Sequence, residues 1–598
     1  MSPALPSRVP EIDSSESAVA EAVEVYHRTY TTVLRSSGET KVRVLEASHI
    51  AMGSSLHPLA ASPEVDLGAF LYAIRRLPET VTGTNIIVMG QSLEVFTRHG
   101  LHLQTWSEVG APGRRRRWYH NRETTLAVLI ASESDVDDLI PTVVAFQIEW
   151  NKMHLRLVSA GADTTAPDFT ATWCSAQLGG TTDDWQQLID AWGEEFTARL
   201  TDVARRHLSL RVQLLGGTQV GYARVTRRWW QQVTGIIRSE GMMERPVYFV
   251  SSNAHSLANL LTGTALERET QLIAWLDAHG PDDLRDELGR FRERRAEGSW
   301  ANLLYYVARL HDSSLHHDSA DRVALRRRER EHGVLNVSSR TALDVAAQVM
   351  SLERLDVGRL DERLGRVDAE RLRASRAIIV NIDYPLGLAA YNILREVAET
   401  VGELRGVYVL GKAATLNADV GDVMLSSVIH DEHSGSTYWL DNAFTVNDIA
   451  PYLRFGSGLD NQRAVSVKGT FLQNRGYLDF YYREAFTVVE MEAGPYCAAV
   501  FEMTEAGRYP TGEPVNFSKL PIDFGIIHYA SDTPFTQART LGARGLSYHG
   551  MDSTYASSVA ILRRILRLEG ALADDARADE VPSATDTGDG PQVDVRAG

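Results

Sequence analysis

The sequence contains little cysteine and no long apolar run. Its two cysteines, Cys174 and Cys497, lie too far apart in sequence to suggest a disulfide framework or a zinc motif. No apolar run approaches the roughly 20 residues that a bilayer requires. The first residues, MSPALPSRVPEIDSSES, lack a basic segment followed by an apolar core, so they do not indicate a secretory signal. We therefore expect a cytoplasmic protein that has no membrane partner.

Positive charge is also scarce. The 61 lysines and arginines are outnumbered by 78 aspartates and glutamates, which gives a formal net charge of −17. Because neutralising phosphates requires a surplus of basic residues, we expect no nucleic-acid partner. Two local basic runs remain, at 114–117 and 326–330. We interpret them as a solvated loop and a charged helix face, respectively, rather than as anion or oligomer contacts.

At 598 residues the chain is too long for one ordinary core, so two or more domains are expected. The apolar runs at 85–90 and 125–132 have the length of buried strands and are flanked by segments with helical periodicity. The predicted organisation is a disordered lead-in at 1–16, an α/β or helix-rich domain of unidentified role at 17–235, a second domain at 240–568 with a helical insertion at 264–375, and a disordered acidic tail at 569–598.

A histidine-rich segment, HDSSLHHD, invites a metal interpretation. Its histidines are His311, His316 and His317. Their spacing matches no known ligand pattern and no carboxylate partner is evident, so we predict neither a metal nor a cofactor.

Strands and helices alternate rapidly after residue 377. Apolar strand-like segments there each end in polar residues, and amphipathic helices separate several of them. This alternation predicts a sheet covered by helices on both faces. Ligands of such sheets bind beyond the strand ends, where these polar residues cluster.

The segment VVEMEAGPY, residues 488–496, places two glutamates one residue apart after an apolar strand. Strand alternation would point Glu490 and Glu492 to the same face, where their like charges repel. Unless both are simply solvated, a cationic or hydroxyl-rich group is expected between them.

Several motifs, in their order, resemble those of the purine nucleoside phosphorylase and nucleosidase superfamily, and most closely those of AMP nucleosidases. The resemblance covers residues 245–262 and 377–568. Its motifs are VNIDYPLGLAAYNIL, GKAATLNADVGDVMLS, IHDEHS, KGTFLQNRGY, VEMEAGPY and HYASDTP. It implies a three-layer α/β/α phosphorylase-type domain with a mixed central sheet, acting on a purine nucleoside or nucleotide. It also implies a homo-oligomer.

The resemblance assigns roles to the residues of two motifs. Asp532, next to Ser531, would donate a proton to N7 of the purine and so improve the leaving group. Glu492 would accept hydrogen bonds from ribose hydroxyls, Met491 would pack against the sugar, and Glu490 would support the same site. Carboxylates there would stabilise the positive charge that develops on the ribose during cleavage.

Phe471, in the motif KGTFLQNRGY, has two possible roles. The resemblance places it where it would stack on the base. A position in the hydrophobic core is an equally good interpretation of a single phenylalanine.

Other positions depart from the superfamily pattern. Gly411 and Lys412 open a loop that usually has paired glycines, and Lys412 could bind an anion such as phosphate or fill the site itself. The glycine-rich turn has become residues 384–387, YPLG. His255 stands near the place of a phosphate-binding arginine. We therefore expect hydrolysis rather than phosphorolysis. The alternatives are phosphorolysis with Lys412 and His255 as the anion site, and a nucleotide-sensing protein that has lost catalysis.

Overall fold

The structure is a computed structural model that describes residues 14–36, 38–162, 168–315, 319–339, 341, 343–505, 511–532 and 548–572. For residues 14–20, 532, 548 and 549 it describes the backbone alone. The predicted lead-in at 1–16 lies outside the described residues except for its last three, which begin a helix. Among all the residues that the structure describes, no helix is long and apolar enough to cross a membrane.

The helices are α1 (Ser14–Ser36), α2 (Arg43–Ala51), α3 (Leu67–Arg76), α4 (Leu93–Arg98), α5 (Glu133–Ser159), α6 (Ala171–Leu178), α7 (Thr182–Trp192), α8 (Phe196–Arg205), α9 (Gln219–Ser239), α10 (Ser256–Thr262), α11 (Thr264–Glu267), α12 (Glu269–His279), α13 (Asp282–Arg292), α14 (Trp300–Ser314), α15 (Ala320–Glu331), α16 (Ala369–Ala374), α17 (Leu388–Thr400), α18 (Val446–Ile449), α19 (Arg475–Arg483), α20 (Ala493–Thr504) and α21 (Tyr548–Leu568).

The strands are β1 (Glu39–Lys41), β2 (Ile86–Gly90), β3 (Ser107–Ala111), β4 (Arg114–His120), β5 (Thr125–Leu129), β6 (Arg211–Leu215), β7 (Val247–Ser252), β8 (Val334–Val337), β9 (Ala347–Ser351), β10 (Ile378–Asp383), β11 (Leu404–Thr415), β12 (Val423–Asp431), β13 (Ser436–Leu440), β14 (Gly458–Ser466), β15 (Val488–Glu490), β16 (Pro514–Phe517) and β17 (Asp523–Asp532). Together these elements make an α/β fold with mixed sheets.

The first half of the chain, residues 14–239, builds a six-stranded sheet. Its strand order is β1-β6-β2-β5-β4-β3. The apolar runs predicted as buried strands form β2 and β5, which pair in parallel at the centre, and β2 also pairs in parallel with β6. The other pairings are antiparallel. Of the two predicted alternatives for this region, α/β or helix-rich, the sheet supports α/β.

The second half, residues 247–572, builds an eleven-stranded mixed sheet. Ten strands follow the order β16-β13-β12-β14-β15-β11-β7-β10-β9-β8, and β17 pairs with β11 and β12. Alternate residues of the central strands enter separate cores: Val247 and Phe249 pack with α9, α17 and α20, whereas Tyr248 and Val250 pack with α10, α14 and α21. Helices therefore cover both faces of the sheet, as the alternating pattern predicts.

Five strands of this sheet form a closed circuit. β11 pairs with β17, β17 with β12, β12 with β14, β14 with β15, and β15 returns to pair with β11. Closure brings the ends of β11, β15 and β17 together, because Ala414 pairs with both Val489 and Asp532.

The insertion predicted as helical at 264–375 also contains strands. β8 and β9 form an antiparallel pair, and β9 extends the sheet by pairing with β10. Charged helical segments dominate the composition of this region, so the sequence pattern does not show these short strands. Val349 and Met350 of β9 are buried on opposite faces, so β9 has no polar alternation that periodicity could detect.

The predicted disordered tail begins with an ordered segment. Glu569 accepts hydrogen bonds from Tyr248 Oη at 2.7 Å, Ser375 Oγ at 2.6 Å and Arg405 Nη1 at 2.6 Å. Leu572 is buried and bridges to Val367. The prediction was wrong for 569–572 because long-range partners, which the local composition does not show, hold these residues. Residues 573–598 lie outside the described part of the chain.

The two halves share one hydrophobic core. Met491 and Val467 of the second half belong to the same buried cluster as Phe146 and Trp150 of α5. Backbone bonds cross the boundary as well, since Ser55 N–H donates to Gln473 O at 2.8 Å. The first half is therefore packed directly against the ends of β14 and β15.

We predict that Glu569→Ala lowers the free energy of unfolding by about 2–3 kcal/mol, because the buried Tyr248 and Ser375 hydroxyls lose their acceptor. Chemical denaturation followed by circular dichroism would measure the change. The matched control is Glu399→Ala, whose side chain is 54% exposed and whose loss should cost less than about 0.5 kcal/mol. Equal effects of the two substitutions would contradict the structural role of Glu569.

Candidate functional site

A cavity of about 1120 Å³ lies between the two halves of the chain. Its floor is formed by the ends of β11, β15 and β17, and its opposite wall by α3 and β4 of the first half. Of the residues singled out from the sequence, it is lined by Gly411, Lys412, Glu490, Met491, Glu492 and Ser531. The closed strand circuit therefore gathers residues from three separate motifs at one place.

Glu490 ends β15 and caps the helix that follows. Its carboxyl oxygens accept hydrogen bonds from the backbone N–H groups of Glu492 at 2.6 Å and Ala493 at 2.7 Å, and from the hydroxyl of Ser466. These bonds satisfy N–H groups at the start of α20. Burial, together with the charge of Glu492, raises the pKa of Glu490 to about 8. Glu490 thus shapes the chain around the site, and its oxygens are already engaged.

Glu492 is the more accessible of the two carboxyls. The strand alternation predicted from VVEMEAGPY stops at Glu490, and Glu492 takes the position just before α20. Its Oε1 lies 3.5 Å from the N–H of Gly387. Burial raises the pKa of Glu492, while the charges of Arg114 and Lys412 oppose that rise. The cationic environment expected beside the glutamates is therefore present, and part of it comes from the first half.

The ends of β11 and β17 form the floor beside Glu492. Lys412 is exposed to the cavity, and Ser531 Oγ donates to Ala413 O at 3.2 Å. The backbone of Asp532 pairs with Ala414 at the end of β17. The side chain of Asp532 lies outside the described atoms, as do residues Thr533 and Pro534 of the same motif.

The arginine run at 114–117 was wrongly predicted to be a solvated loop. It forms β4, and alternation turns Arg114 and Arg116 toward buried carboxylates at the start of α5. Arg114 donates twice to Asp138, at 3.0 and 3.2 Å, and Arg116 donates to Asp138 at 2.8 Å and to Asp135 at 2.8 Å. The acidic segment DVDDL, residues 135–139, could have indicated this pairing, but it lies about 20 residues from the arginines in sequence.

Arg115 faces the other way along β4 and reaches the second half. Its guanidinium pairs with Asp383 at the end of β10 and donates to Tyr384 O at 3.2 Å. Arg75 and Arg76 of α3 complete the basic wall of the cavity. None of these arginines was predicted as a site residue. The second basic run, at 326–330, lies on α15, of which no residue is buried, as expected of a charged helix face.

Two predicted binding residues, Phe471 and His255, do not line the cavity. Phe471 is 2% exposed and packs edge-on against Tyr72, and it also contacts the rings of His49 and His57. Phe471 therefore lies in the hydrophobic core, which was one of its two expected positions.

His255 Nδ1 lies 3.2 Å from Tyr555 Oη, and burial lowers the pKa of His255 to about 3. Because a neutral imidazole carries no positive charge, this lowered pKa does not favour His255 in the place of an anion-binding arginine.

The histidine-rich segment is only partly described. His311 Nδ1 lies 2.9 Å from Asp312 Oδ1, and Arg268 binds the same carboxylate at 2.8 and 2.9 Å. His316 and His317 lie outside the described residues. Among the side chains that are described, no group of three or more histidine, cysteine and carboxylate residues could hold a metal ion.

Comparison with known proteins gives a family and two distant structures. The model of a family of unknown function, DUF6909, matches residues 42–567. No curated protein matches the sequence significantly. A protein assigned as a methylthioadenosine nucleosidase from Weissella paramesenteroides ATCC 33313 aligns with a TM-score of 0.26 and 11% identity, over 40% of this chain and 90% of that one. A methylthioadenosine phosphorylase from an antarctic soil metagenomic library aligns with a TM-score of 0.25 and 9% identity, over 33% of this chain and 72% of that one.

We predict a pH-dependent stability that depends on Glu490. Because folding favours its protonated form, the stability that this group contributes is lost as the pH rises from its ordinary pKa of 4.5 to about 8. The melting temperature of Glu490→Gln relative to the parent protein should therefore rise over that range and level off above it. Glu399→Gln, an exposed control, should show no such trend. Parallel melting curves for Glu490→Gln and the parent protein would contradict the raised pKa.

Proposed function

We propose that this chain, which belongs to the DUF6909 family of unknown function, cleaves the N-glycosidic bond of a purine nucleoside or nucleotide by hydrolysis and releases the free base. The observation that carries the proposal is the convergence of Glu492, Met491, Lys412 and Ser531 in one cavity at adjoining strand ends. These residues come from the motifs whose resemblance to nucleosidases implies the same chemistry.

Glu492 is suited to act on the sugar. Cleavage of an N-glycosidic bond builds positive charge on the ribose, and a carboxylate close to the ring stabilises that charge. Burial raises the pKa of Glu492, but the charges of Arg114 and Lys412 act against that rise and toward the ionised form, whereas Glu490 is occupied by backbone N–H groups. The proposal therefore divides the two carboxyls between roles: Glu492 binds the ribose hydroxyls, and Glu490 holds the turn that presents Glu492.

Asp532 is proposed as the general acid. A purine leaves poorly as an anion, so protonation at N7 lowers the barrier to cleavage. The position of Asp532 supports this role, because its backbone lies at the end of β17 opposite Ala414, next to the cavity-lining Ser531. In this proposal, Met491, which lines the same cavity, packs against the sugar.

Water is the favoured nucleophile because the groups that the resemblance would assign to inorganic phosphate make hydrogen bonds within the protein. At the turn before α17, the N–H of Gly387 points to Glu492 and the N–H of Leu388 donates to Ser134 Oγ at 2.9 Å. His255 is enclosed with Tyr555. Phosphorolysis through Lys412 and His255 consequently has less support than hydrolysis.

The basic wall favours a substrate that carries phosphate. Six cationic side chains line the cavity: Arg75, Arg76, Arg114, Arg115, Arg116 and Lys412. Ion pairs to Asp135, Asp138 and Asp383 neutralise part of this charge. Guanidinium groups bind phosphate oxygens well, and paired arginines are held in fixed orientations. We therefore favour a nucleotide over a nucleoside.

The first test is a chromatographic assay of the purified protein against purine and pyrimidine nucleosides and nucleotides, each with and without inorganic phosphate. We expect free purine to be released without phosphate, and faster from a nucleotide than from its nucleoside. Release that depends on phosphate would replace hydrolysis by phosphorolysis. No release from any compound, together with measurable binding of one, would favour the nucleotide-sensing alternative.

Substitutions at the two carboxyls test the mechanism. Asp532→Asn should lower kcat by about 10²–10⁴-fold, the usual contribution of a general acid, while binding stays nearly intact. Glu492→Gln should lower kcat by about 10²–10³-fold through lost stabilisation of charge on the ribose. Glu399→Gln, on the exposed side of α17, is the control and should retain full activity. Unchanged turnover in Asp532→Asn would remove that residue from the mechanism.

A further inference from the structure

A hydrogen-bonded relay of three side chains crosses the boundary between the halves of the chain. Asp431 Oδ1 lies 3.0 Å from His433 Nδ1, and His433 Nε2 lies 3.4 Å from Ser134 Oγ. The side chains of Asp431 and His433 are 2% and 6% exposed, and Ser134 is fully buried. Ser134 belongs to α5 in the first half, whereas Asp431 ends β12 and His433 follows it in the second half.

The bonding capacity of these groups fixes the direction of the hydrogen bond between His433 and Asp431. The Asp431 carboxylate also accepts from Ser434 N–H and Oγ, so it acts as an acceptor and places a proton on His433 Nδ1. Neutral His433 then accepts the Ser134 hydroxyl at Nε2. With either protonation state of His433, Ser134 Oγ keeps a lone pair for the N–H of Leu388, 2.9 Å away.

The relay ends beside Glu492. Leu388 is the first residue of α17, and the preceding N–H, that of Gly387, points to Glu492 Oε1. Gly387 has a φ of +51°, and a Cβ there would collide with Ser134 Oγ and Cβ. Ser134 Oγ and Glu492 Oε1 therefore accept from adjacent N–H groups at the N-terminus of α17. A side chain at position 387 would not fit beside Ser134.

A second contact joins the relay to the helix that follows Glu492. Gly494, in the first turn of α20, packs so closely on Asp431 that a Cβ would lie within 3 Å of three of its side-chain atoms. The N–H of Gly494 donates to Ser466 Oγ at 2.6 Å, and Ser466 in turn binds Glu490. The relay thus contacts both the N-terminus of α17, which lies beside Glu492, and the first turn of α20, which follows Glu492 in sequence.

We infer that Ser134, oriented by His433 and Asp431, is a positioning residue for Glu492. By holding the N-terminus of α17, it sets the place of the Gly387 N–H that orients the Glu492 carboxylate toward the sugar. This inference rests on the proposed function and assigns to the first half of the chain a part in the ribose site. Ser134 is not among the residues that line the cavity, so its proposed role is indirect.

A double-mutant cycle of Ser134→Ala and Glu492→Gln tests the coupling. Ser134→Ala should lower kcat/KM by about 2–13-fold, the usual net value of one hydrogen bond, and change the same kinetic parameter as Glu492→Gln. The double variant should be no slower than Glu492→Gln alone, because Ser134 would act through that residue. If the double variant instead loses activity by the product of the two single fold-losses, the substitutions act independently and the inference is overturned. A general structural defect would give that result.

Hydrogen exchange of the full-length protein supplies a readout that does not need activity. Ser134→Ala and His433→Gln should each speed exchange in the peptide that contains Gly387 and Leu388, whereas Ser239→Ala, which removes an exposed hydroxyl on α9, should not. Unchanged exchange in Ser134→Ala would overturn the inference. If that variant does not fold, His433→Gln carries the same comparison. Absence of base release from the parent protein would overturn the proposed function, while the exchange measurement would still decide the relay.

Discussion

The ion pairs between β4 and the start of α5 are the constraint on which the cavity depends. Burial alone would raise the pKa of Asp138, but the charges of Arg114 and Arg116 hold it well below its ordinary range. Removing one partner of such a buried group leaves an uncompensated charge, which typically costs about 3–5 kcal/mol. These pairs fix the arginines of the cavity wall, and Arg115, between them in sequence, is carried to Asp383 at the end of β10.

The same helix start links the first half to the side of the cavity where Glu492 lies. Asp135 and Asp138 bind the arginines, and Ser134 binds the N-terminus of α17. Hence one turn of α5 contacts both the basic wall and the segment that orients Glu492. A displacement of α5 would change both sides of the cavity together, which gives the first half a direct role in the geometry of the proposed site.

The paired glutamates of VVEMEAGPY show how far local sequence reasoning extends. The motif indicated two carboxyls at a strand end near cationic groups, and both line the cavity. Alternation could not distinguish their roles, because the strand ends at Glu490 and the chain turns into α20. The difference arises from α20, whose first N–H groups bind Glu490 and leave Glu492 to face Arg114 and Lys412.

Errors in the sequence predictions have a common physical origin. Arg114, Arg116 and Glu569 were each interpreted from neighbouring residues, yet each is held by a partner that is distant in sequence. Phe471 lies in the core because Tyr72, His49 and His57 of the first half surround it. No local pattern identifies such partners.

By itself, the sequence determined the alternation of strands and helices, the buried central strands and the group of motifs at the strand ends, because apolar periodicity and turn residues act over short distances. The tertiary structure decided which motifs meet. Closure of the strand circuit brings Lys412, Glu492 and Ser531 together, and the packing of α5 against the second half adds the arginines and Ser134. Those choices depend on long-range packing and on the pairing of buried charges, which the order of residues along the chain does not display.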